Sequence, residues 1–517
     1  MDDIRAFKVR MVSNMPNAAF NQMRYAFQHK MEIASLYRIT HKLAVISGVM
    51  PKYFDCCVKS CVMFGRKYED HTECPVCGEP RYVNNDSTRP RRVFCYIPLI
   101  PRLQKLFANA QVSKELLYRH HYQRDASGDI CDIFDGEHYA RLCKTRVTVD
   151  GKELPHRYFS DQRDIAFSVC LDSYLLYKRR RGGPSAMPIL IQLYNFPPEV
   201  RTHLTRLICL GVIPGPHGPK ELDTFLEPFE DECVQLAYGV PTFDALDQLI
   251  FQLHAFDMFP HGDIVAIEKL LRIKGHNGKA PCRSCDIKAV NNPNKDADKT
   301  YYVPLTLPGR TQTLKADELN LRKHNDWEEI SQKIQRASKK KDKKDIAITS
   351  GIKGMPAIGR VGSLDYGRGV PWDFMHLLFE NVVQNLVMLW MGKFKGLDNG
   401  TGDFIIPKAI WIKIGDETVA AMKEIPAAFV RLLGNLAEDR TTYTAEGWGF
   451  WFMYIGPALL KGRLSDKYYK HYILLVDIMK TCIQFTISQD QLKTLGADIV
   501  TWVTGYERYV CIQVSGQ

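Results

Sequence analysis

No stretch of this sequence approaches the 18 or more uninterrupted apolar residues that a membrane span needs. The two nearest, Val382–Met391 and Tyr472–Ile487, are broken by Gln384 and Asn385 and by Asp477 and Lys480. The first ten residues, MDDIRAFKVR, carry two acids at once and no apolar h-region, so they do not read as a secretory signal. No internal repeat is evident. These absences point to a soluble intracellular chain with no membrane partner, in which disulfides are not expected. Apolar material is not scarce: 45% hydrophobic content over 517 residues excludes a wholly disordered chain and is ample for sizeable cores. At about 150 residues per domain, the length suggests roughly three domains.

Positive charge is in modest excess, 69 Lys and Arg against 58 Asp and Glu, but it is unevenly placed. Lys178, Arg179, Arg180 and Arg181 form one block, and Lys339–Lys344 (KKKDKK) form another. Clustered cations serve nucleic-acid contacts and nuclear-import addresses alike, and a solvated loop is the bland alternative for either block.

Fifteen cysteines in a chain without a secretory signal call for an explanation. Nine sit singly or beside apolar residues (Cys56, Cys95, Cys131, Cys143, Cys170, Cys209, Cys233, Cys482, Cys511), the habit of buried thiols. The other six are grouped. Cys57-x3-Cys61 and Cys74-x2-Cys77 stand twelve residues apart, the second pair in CPVCGEP. Short loops of this kind bring four thiolates onto one tetrahedral ion without backbone strain, so the spacing predicts a zinc knuckle. Cys282-x2-Cys285, in GHNGKAPCRSC, is a lone pair whose further ligands must come from elsewhere. His276 and His324 are near in sequence and His376 is distant.

Along the chain, residues 1–50 have helical spacing and 51–110 hold the knuckle. Residues 111–160 connect to a core beginning near 161. Ile165, Phe167, Val169 and Leu171 alternate with Ala166, Ser168, Cys170 and Asp172, a period-2 strand ending on a carboxylate. A second strand is expected over Ile189–Phe196 and a third over Leu207–Ile213. A helix follows, with Pro228 in its first turn and Gly239 at its stop. A fourth strand, Leu249–Phe256, ends on Asp257. Strand, strand, strand, helix, strand is the order of an RNase H-like fold, in which the first and fourth strands deliver acids to one metal site. The fold class is therefore α/β, mixed α+β: an RNase H-like core with a zinc-knuckle N-terminal region, an insertion and a helical C-terminal region. The core's first part spans 161–274. The insertion, 275–365, holds the CxxC, and residues 326–346 within it read as an exposed, partly disordered helix or linker. Residues 366–392 form a core helix, apolar nearly all round, on which Asp373, His376, Glu380 and Gln384 share a stripe. Charge on a buried helix needs a partner or a metal, so Glu380 is the candidate third acid. Residues 393–517 read as a helical domain.

Nine segments of this sequence, in order, resemble the transposases of CACTA (En/Spm-like) DNA elements, in particular the fungal branch. They are Cys57–Tyr82 with CPVCGEPRY, YIPLIPRLQKLFAN, the strand into Asp172, ILIQLYNFPPEVR, LICLGVIPGPHGPKELDTFLEPFEDE, HAFDMFPHGD, GHNGKAPCRSC, DFMHLLFENV and TAEGWGFWFMYIGPALLKGRL. The resemblance implies a DDE-type transposase that cleaves transposon ends and joins them to target DNA. Its acids fall on Asp172, Asp257 and Glu380, with Glu446 in TAEGW as competitor for the third. Asp373-x2-His376 resembles the acid/cysteine-x2-histidine motif of this group of families, and His376 would then join Cys282 and Cys285 on a second zinc.

An all-carboxylate site suits Mg²⁺ or Mn²⁺, while thiolates keep zinc. Arg179, Arg180 and Arg181, with Lys178, lie just after the first strand, where they could grip phosphates. The partners expected are double-stranded DNA, as terminal repeats and as target, and further copies of the chain. The compartment expected is the nucleus. The alternative from another class is a catalytically inactive, transposon-derived, zinc-dependent DNA-binding protein.

Overall fold

Three short helices open the chain, Asp2–Val12, Asn17–Ala26 and Leu36–Ser47. Helices of this length are marginal alone in water. Ala6, Phe20 and Ile39 draw them into one small core, and Asp3 pins the entry to the third by accepting from the Ala34 N–H at 2.7 Å. The computed structural model describes residues 2–83, 86–176, 185–276, 278–291, 300–302, 305, 314–394 and 402–508. It divides into two compact units. The first comprises Met1–His120, Asp161–Phe167 and Asp172–Phe256, the second His121–Ser160, Ser168–Leu171 and Asp257–Gln517. No helix among the described residues is long and apolar enough to cross a membrane.

The first unit is built around a mixed sheet. In chain order its strands, with an adjoining hairpin, are β1 (Lys52–Asp55), β2 (Val93–Tyr96), β3 (Ile165–Leu171), β4 (Ser185–Leu193), β5 (Ile208–Ile213), β6 (Val240–Asp244), β7 (Leu249–Leu253) and β8 (Ala255–Asp257). The sheet order is β1-β2-β5-β4-β3-β8, while β6 and β7 pair only with each other. β1 with β2, β2 with β5, and β5 with β4 are antiparallel. Six of the seven residues of β3 are buried, so both its faces are covered. Its alternation of large and small side chains therefore does not mark a wet face. The apolar run expected as one strand over Leu249–Phe256 is split. Its first half forms the β6–β7 hairpin, and only after His254 does the chain join the sheet, where the Ile165 N–H donates to the His254 carbonyl at 2.9 Å.

The helix after β5 is Leu222–Tyr238, ending at Gly239. Pro228 lies inside it rather than in its first turn. One backbone hydrogen bond is forgone there, and the helix persists because Phe225, Leu226, Phe229 and Leu236 are fully buried. Glu232, also buried, accepts from the Tyr96 hydroxyl (2.5 Å) and from the N–H groups of Leu99 (2.7 Å) and Ile100 (2.9 Å). It thereby caps the Ile100–Phe107 helix, which lacks a capping side chain of its own. Asn195 accepts from the Ala166 N–H (2.8 Å) and donates to the carbonyls of Leu116 (2.9 Å) and Asp164 (3.1 Å), fixing the start of β3.

In the second unit a short strand, β9 (His261–Gly262), runs parallel to the end of β3, pairing with Cys170 and Leu171. A Cβ at Gly262 would stand 2.5 Å from the Leu171 carbonyl oxygen, so only glycine fits. The Ile264–Leu270 helix follows, capped by Asp263, which accepts from the Ala266 N–H at 2.6 Å. Residues 326–346, expected as an exposed, partly disordered helix or linker, lie in a hairpin of two helices, His324–Arg336 and Lys340–Ser350, exposed along most of its length. Met375–Val383 is a π-helix continued by an α-helix, Gln384–Trp390. The C-terminal region is all-helical among the described residues. Its core gathers Trp390, Trp411, Trp448, Trp451, Phe452 and Tyr472.

Candidate functional site

The four cysteines of the first unit meet. The sulfurs of Cys57, Cys61, Cys74 and Cys77 all lie within 4.8 Å of one another, and Cys57 Sγ is 3.5 Å from Cys77 Sγ. Tetrahedral zinc at about 2.3 Å from each sulfur would separate the sulfurs by about 3.8 Å, inside this range. Two tight turns build the site. In one, the Ser60 N–H donates to the Cys57 carbonyl (2.7 Å), and in the other the Gly78 N–H donates to that of Cys74 (2.8 Å). Both turns need left-handed backbone, at Ser60 (φ 61°) and Gly78 (φ 70°). They also aim N–H groups at sulfur: Lys59 at Cys57 (3.4 Å), Val76 and Cys77 at Cys74, and Glu79 at Cys77. Burial pushes Cys74 up to about 11 and raises Cys61 as well. In Cys77 burial acts the same way, but the Glu79 N–H and the neighbouring thiols outweigh it and its pKa falls. Buried thiols with N–H groups directed at them are suited to a soft cation that stabilises the thiolate. The cluster is therefore able to hold a metal, and the donor set fits zinc. Outside it, Glu79 ties Lys59 (2.9 Å) to Arg91 (2.7 Å).

Among the described residues no other group of three or more His, Cys, Asp or Glu side chains is gathered this closely. Asp172 follows the last residue of β3 and is exposed, in the first unit. Asp257 ends β8, belongs to the second unit and is fully buried. Its Oδ1 accepts from the Val169 N–H at 3.4 Å, and its Oδ2 has no hydrogen-bond partner among the described residues. Burial drives its pKa up to about 8, despite the Val169 and Phe259 N–H groups that favour the anion. The Ser363 hydroxyl holds the Asp257 carbonyl at 2.6 Å. A buried carboxyl oxygen without a donor is costly unless a proton or a cation satisfies it.

Glu380 lies on the π-helix. That helix is not buried along its first half, and the Glu380 side chain is 43% exposed. Three members of the expected stripe, Asp373, His376 and Glu380, lie next to one another. Asp373 caps the helix by accepting from the N–H groups of Met375 (2.9 Å) and His376 (3.2 Å). His376 Nδ1 lies 2.7 Å from Asp373, and its Nε2 3.9 Å from Glu380. Burial disfavours the imidazolium, but the Asp373 carboxylate outweighs it and the His376 pKa is raised. Glu446 is exposed on the Ala445–Phe450 helix, which packs on the π-helix with Gly449 against Phe379.

Cys282 and Cys285 face each other. Hydrogen bonding with Cys285, supported by the Ser284 N–H (3.3 Å), lowers Cys282 to about 6, whereas Cys285 is raised. Their turn rests on the Trp372–His376 segment. Arg283, buried, donates to the Pro371 carbonyl (2.5 Å) and lies 4.0 Å from the Trp372 ring centre, and Trp372 Nε1 donates to Ser284 Oγ (3.2 Å). Arg322 clamps the turn from below through the carbonyls of Cys282 (2.8 Å) and Cys285 (3.1 Å). Sequence reading missed Arg322, since nothing in the intervening 36 residues signals the pairing.

Of the nine cysteines expected to be buried, only Cys56 and Cys233 are. Six are half-buried, and Cys511 lies outside the described residues. Lys178, Arg179, Arg180 and Arg181 also lie outside the described residues. Lys339–Lys344 is ordered and exposed at the start of the Lys340–Ser350 helix.

No curated protein matches the chain. Residues 148–344 match the family described as transposase family tnp2, a span that includes Asp172, Asp257 and the Cys282–Cys285 turn. Part of this chain is therefore a domain similar to the tnp2 transposase family.

Proposed function

We propose that this protein is a DNA transposase of the CACTA type with an RNase H-like core, and that Asp172, Asp257 and a glutamate, Glu380 first and Glu446 second, form a DDE site. The observation that carries the reading is Asp257: a fully buried strand-end carboxylate with one unsatisfied oxygen, inside the span that matches the transposase family. The strand order supports it. Numbering the core strands from β3 along the chain, β5-β4-β3-β8 reads 3-2-1-4; Asp172 directly follows β3 and Asp257 ends β8.

The reaction class is hydrolysis of a phosphodiester at an element end, followed by attack of the freed 3′-hydroxyl on target DNA. The hard oxygen donors of Asp172, Asp257 and the glutamate would hold Mg²⁺ or Mn²⁺, which supplies Lewis-acid stabilisation of phosphate oxygens when bound. The chain's own part is to keep Asp257 dry and fixed, through the Val169 N–H and the Ser363 hydroxyl. A second zinc on Cys282, Cys285 and His376 belongs to the same reading, as do a nuclear site of action, assembly into oligomers and phosphate contacts by Lys178–Arg181.

The test is cleavage and strand transfer on oligonucleotides carrying the flanking element ends, with Mg²⁺ or Mn²⁺ added. Asp257→Asn and Asp172→Asn should each lower the rate by about 10³-fold or more, since such a site supplies several kcal/mol of transition-state stabilisation. Wild-type rates in either variant remove that residue from the site. One observation favours the rival, a non-catalytic zinc-dependent DNA-binding protein: Glu380 is exposed and turned toward His376. On that reading the wild-type chain binds DNA without cutting it.

A further inference from the structure

The helical hairpin of residues 324–350 is more ordered than its composition suggests, and it is anchored at its base. Trp327 is fully buried and donates to the Leu271 carbonyl at 2.9 Å. His324 stacks on Tyr366 at 4.4 Å. Arg322, just before the hairpin, clamps the Cys282–Cys285 turn and also reaches the Ser350 carbonyl (2.8 Å), at the hairpin's other end. Its tip has the opposite character. Lys333 and Arg336 come from the first helix, and Lys339, Lys340, Lys341, Lys343 and Lys344 from the connection and the second helix. All seven are exposed, and Asp342 and Asp345 are the only acids among residues 333–345.

Five of these lysines crowd the N-terminal end of the Lys340–Ser350 helix, where the macrodipole is already positive. Like charges one turn apart, such as Lys340 and Lys344, repel further. The first turn carries one acid, Asp342, among these lysines. None of the seven cations is engaged in an ion pair among the described residues. Asp342 and Asp345, the two acids within the run, leave five lysines over residues 339–345 with a net positive charge.

We infer that the tip of this hairpin is a rigid arm that grips the phosphate backbone of duplex DNA. The inference rests on the DNA-acting reading above and adds to it a contact surface. Lysine is a flexible point charge that suits phosphate contacts made without regard to base sequence. An import address read as an extended peptide would first have to unwind the helix that holds these lysines.

The experiment uses the full-length, zinc-loaded chain and a labelled duplex of arbitrary sequence. Anisotropy is followed from about 50 to 200 mM salt with no Mg²⁺ added. Each phosphate contact contributes about 0.9 to the slope of log affinity against log salt. Combining Lys340→Gln, Lys341→Gln, Lys343→Gln and Lys344→Gln should therefore flatten that slope by roughly 2 to 4 and weaken binding at least tenfold at low salt. The same four positions changed to arginine should keep both. In the unaltered protein, chemical acetylation of Lys339–Lys344 should be blocked by bound duplex, a measurement that no misfolded variant can confuse. An unchanged slope in the glutamine variant, or acetylation unaffected by DNA, overturns the arm. The catalytic reading fails separately, on cleavage by Asp257→Asn, so the two outcomes are distinguishable.

Discussion

Removing metal from the four-cysteine cluster should unfold that module and little else. Its compact cluster contains Cys57, Cys61, Val62, Phe64, Tyr68 and Cys74, so half of it is ligand. The three remaining side chains contribute about 5–9 kcal/mol by burial at about 1.5–3 kcal/mol each. A structural zinc on four thiolates contributes about 10–16 kcal/mol, so the metal stabilises the module more than its apolar packing does. Without it, Cys61 and Cys74 are neutral at pH 7, and the N–H groups aimed at sulfur lose the charge they were placed to meet. Changing Cys61→Ser and Cys74→Ser together should remove one equivalent of zinc from the purified protein, measured by elemental analysis. A zinc chelator should reproduce the effect and open residues 56–82 to proteases while the C-terminal helical core stays resistant. Zinc content that is unchanged in the double variant, or protease resistance that is indifferent to chelator, would refute the reasoning.

Asn195→Ala takes the side-chain partner from the Ala166 N–H and the Leu116 carbonyl, while the Asp164 carbonyl keeps Arg119 (2.9 Å); at about 1–3 kcal/mol for each buried group left unpaired, urea denaturation should show a loss of roughly 2–6 kcal/mol. Burial, aided by Arg141, lowers His138 to about 4. Its unfolded form, near 6.5, binds a proton first as pH falls, so stability should decline between about pH 6.5 and 4, by up to about 3 kcal/mol. His138→Gln should remove that acid slope in pH-dependent melts. Lys340→Glu with Lys341→Glu should raise the melting temperature, by suiting the helix dipole, while weakening DNA binding; a fall in both would indicate that these lysines support the fold.

The four-cysteine cluster was legible because its residues lie within 21 positions and two short turns hold the geometry. Core strand positions were legible because β-branched and aromatic runs stop at acids and prolines. The misreadings share one cause: local rules were overruled by distant packing. Pro228 resembles a first-turn residue, but the buried face of Leu222–Tyr238 carries the helix through it. The Leu249–Phe256 run is mostly apolar, but Leu249–Leu253 is claimed by pairing with β6. The stripe through Glu380 was expected on a buried helix, whereas Glu380 is 43% exposed.

By itself, then, the order of residues determined which segments are helix or strand, which cysteines can share an ion, and which acids end strands, because each depends on neighbours a few positions away. Only the tertiary structure decided that Asp257 is sealed from water with an oxygen unsatisfied, and that Glu232 caps a helix 132 residues before it. It also decided that the lysine run sits on a helical hairpin anchored by Trp327. Burial and the partnering of distant polar groups arise only when separated segments exclude water together, and no local pattern encodes that exclusion.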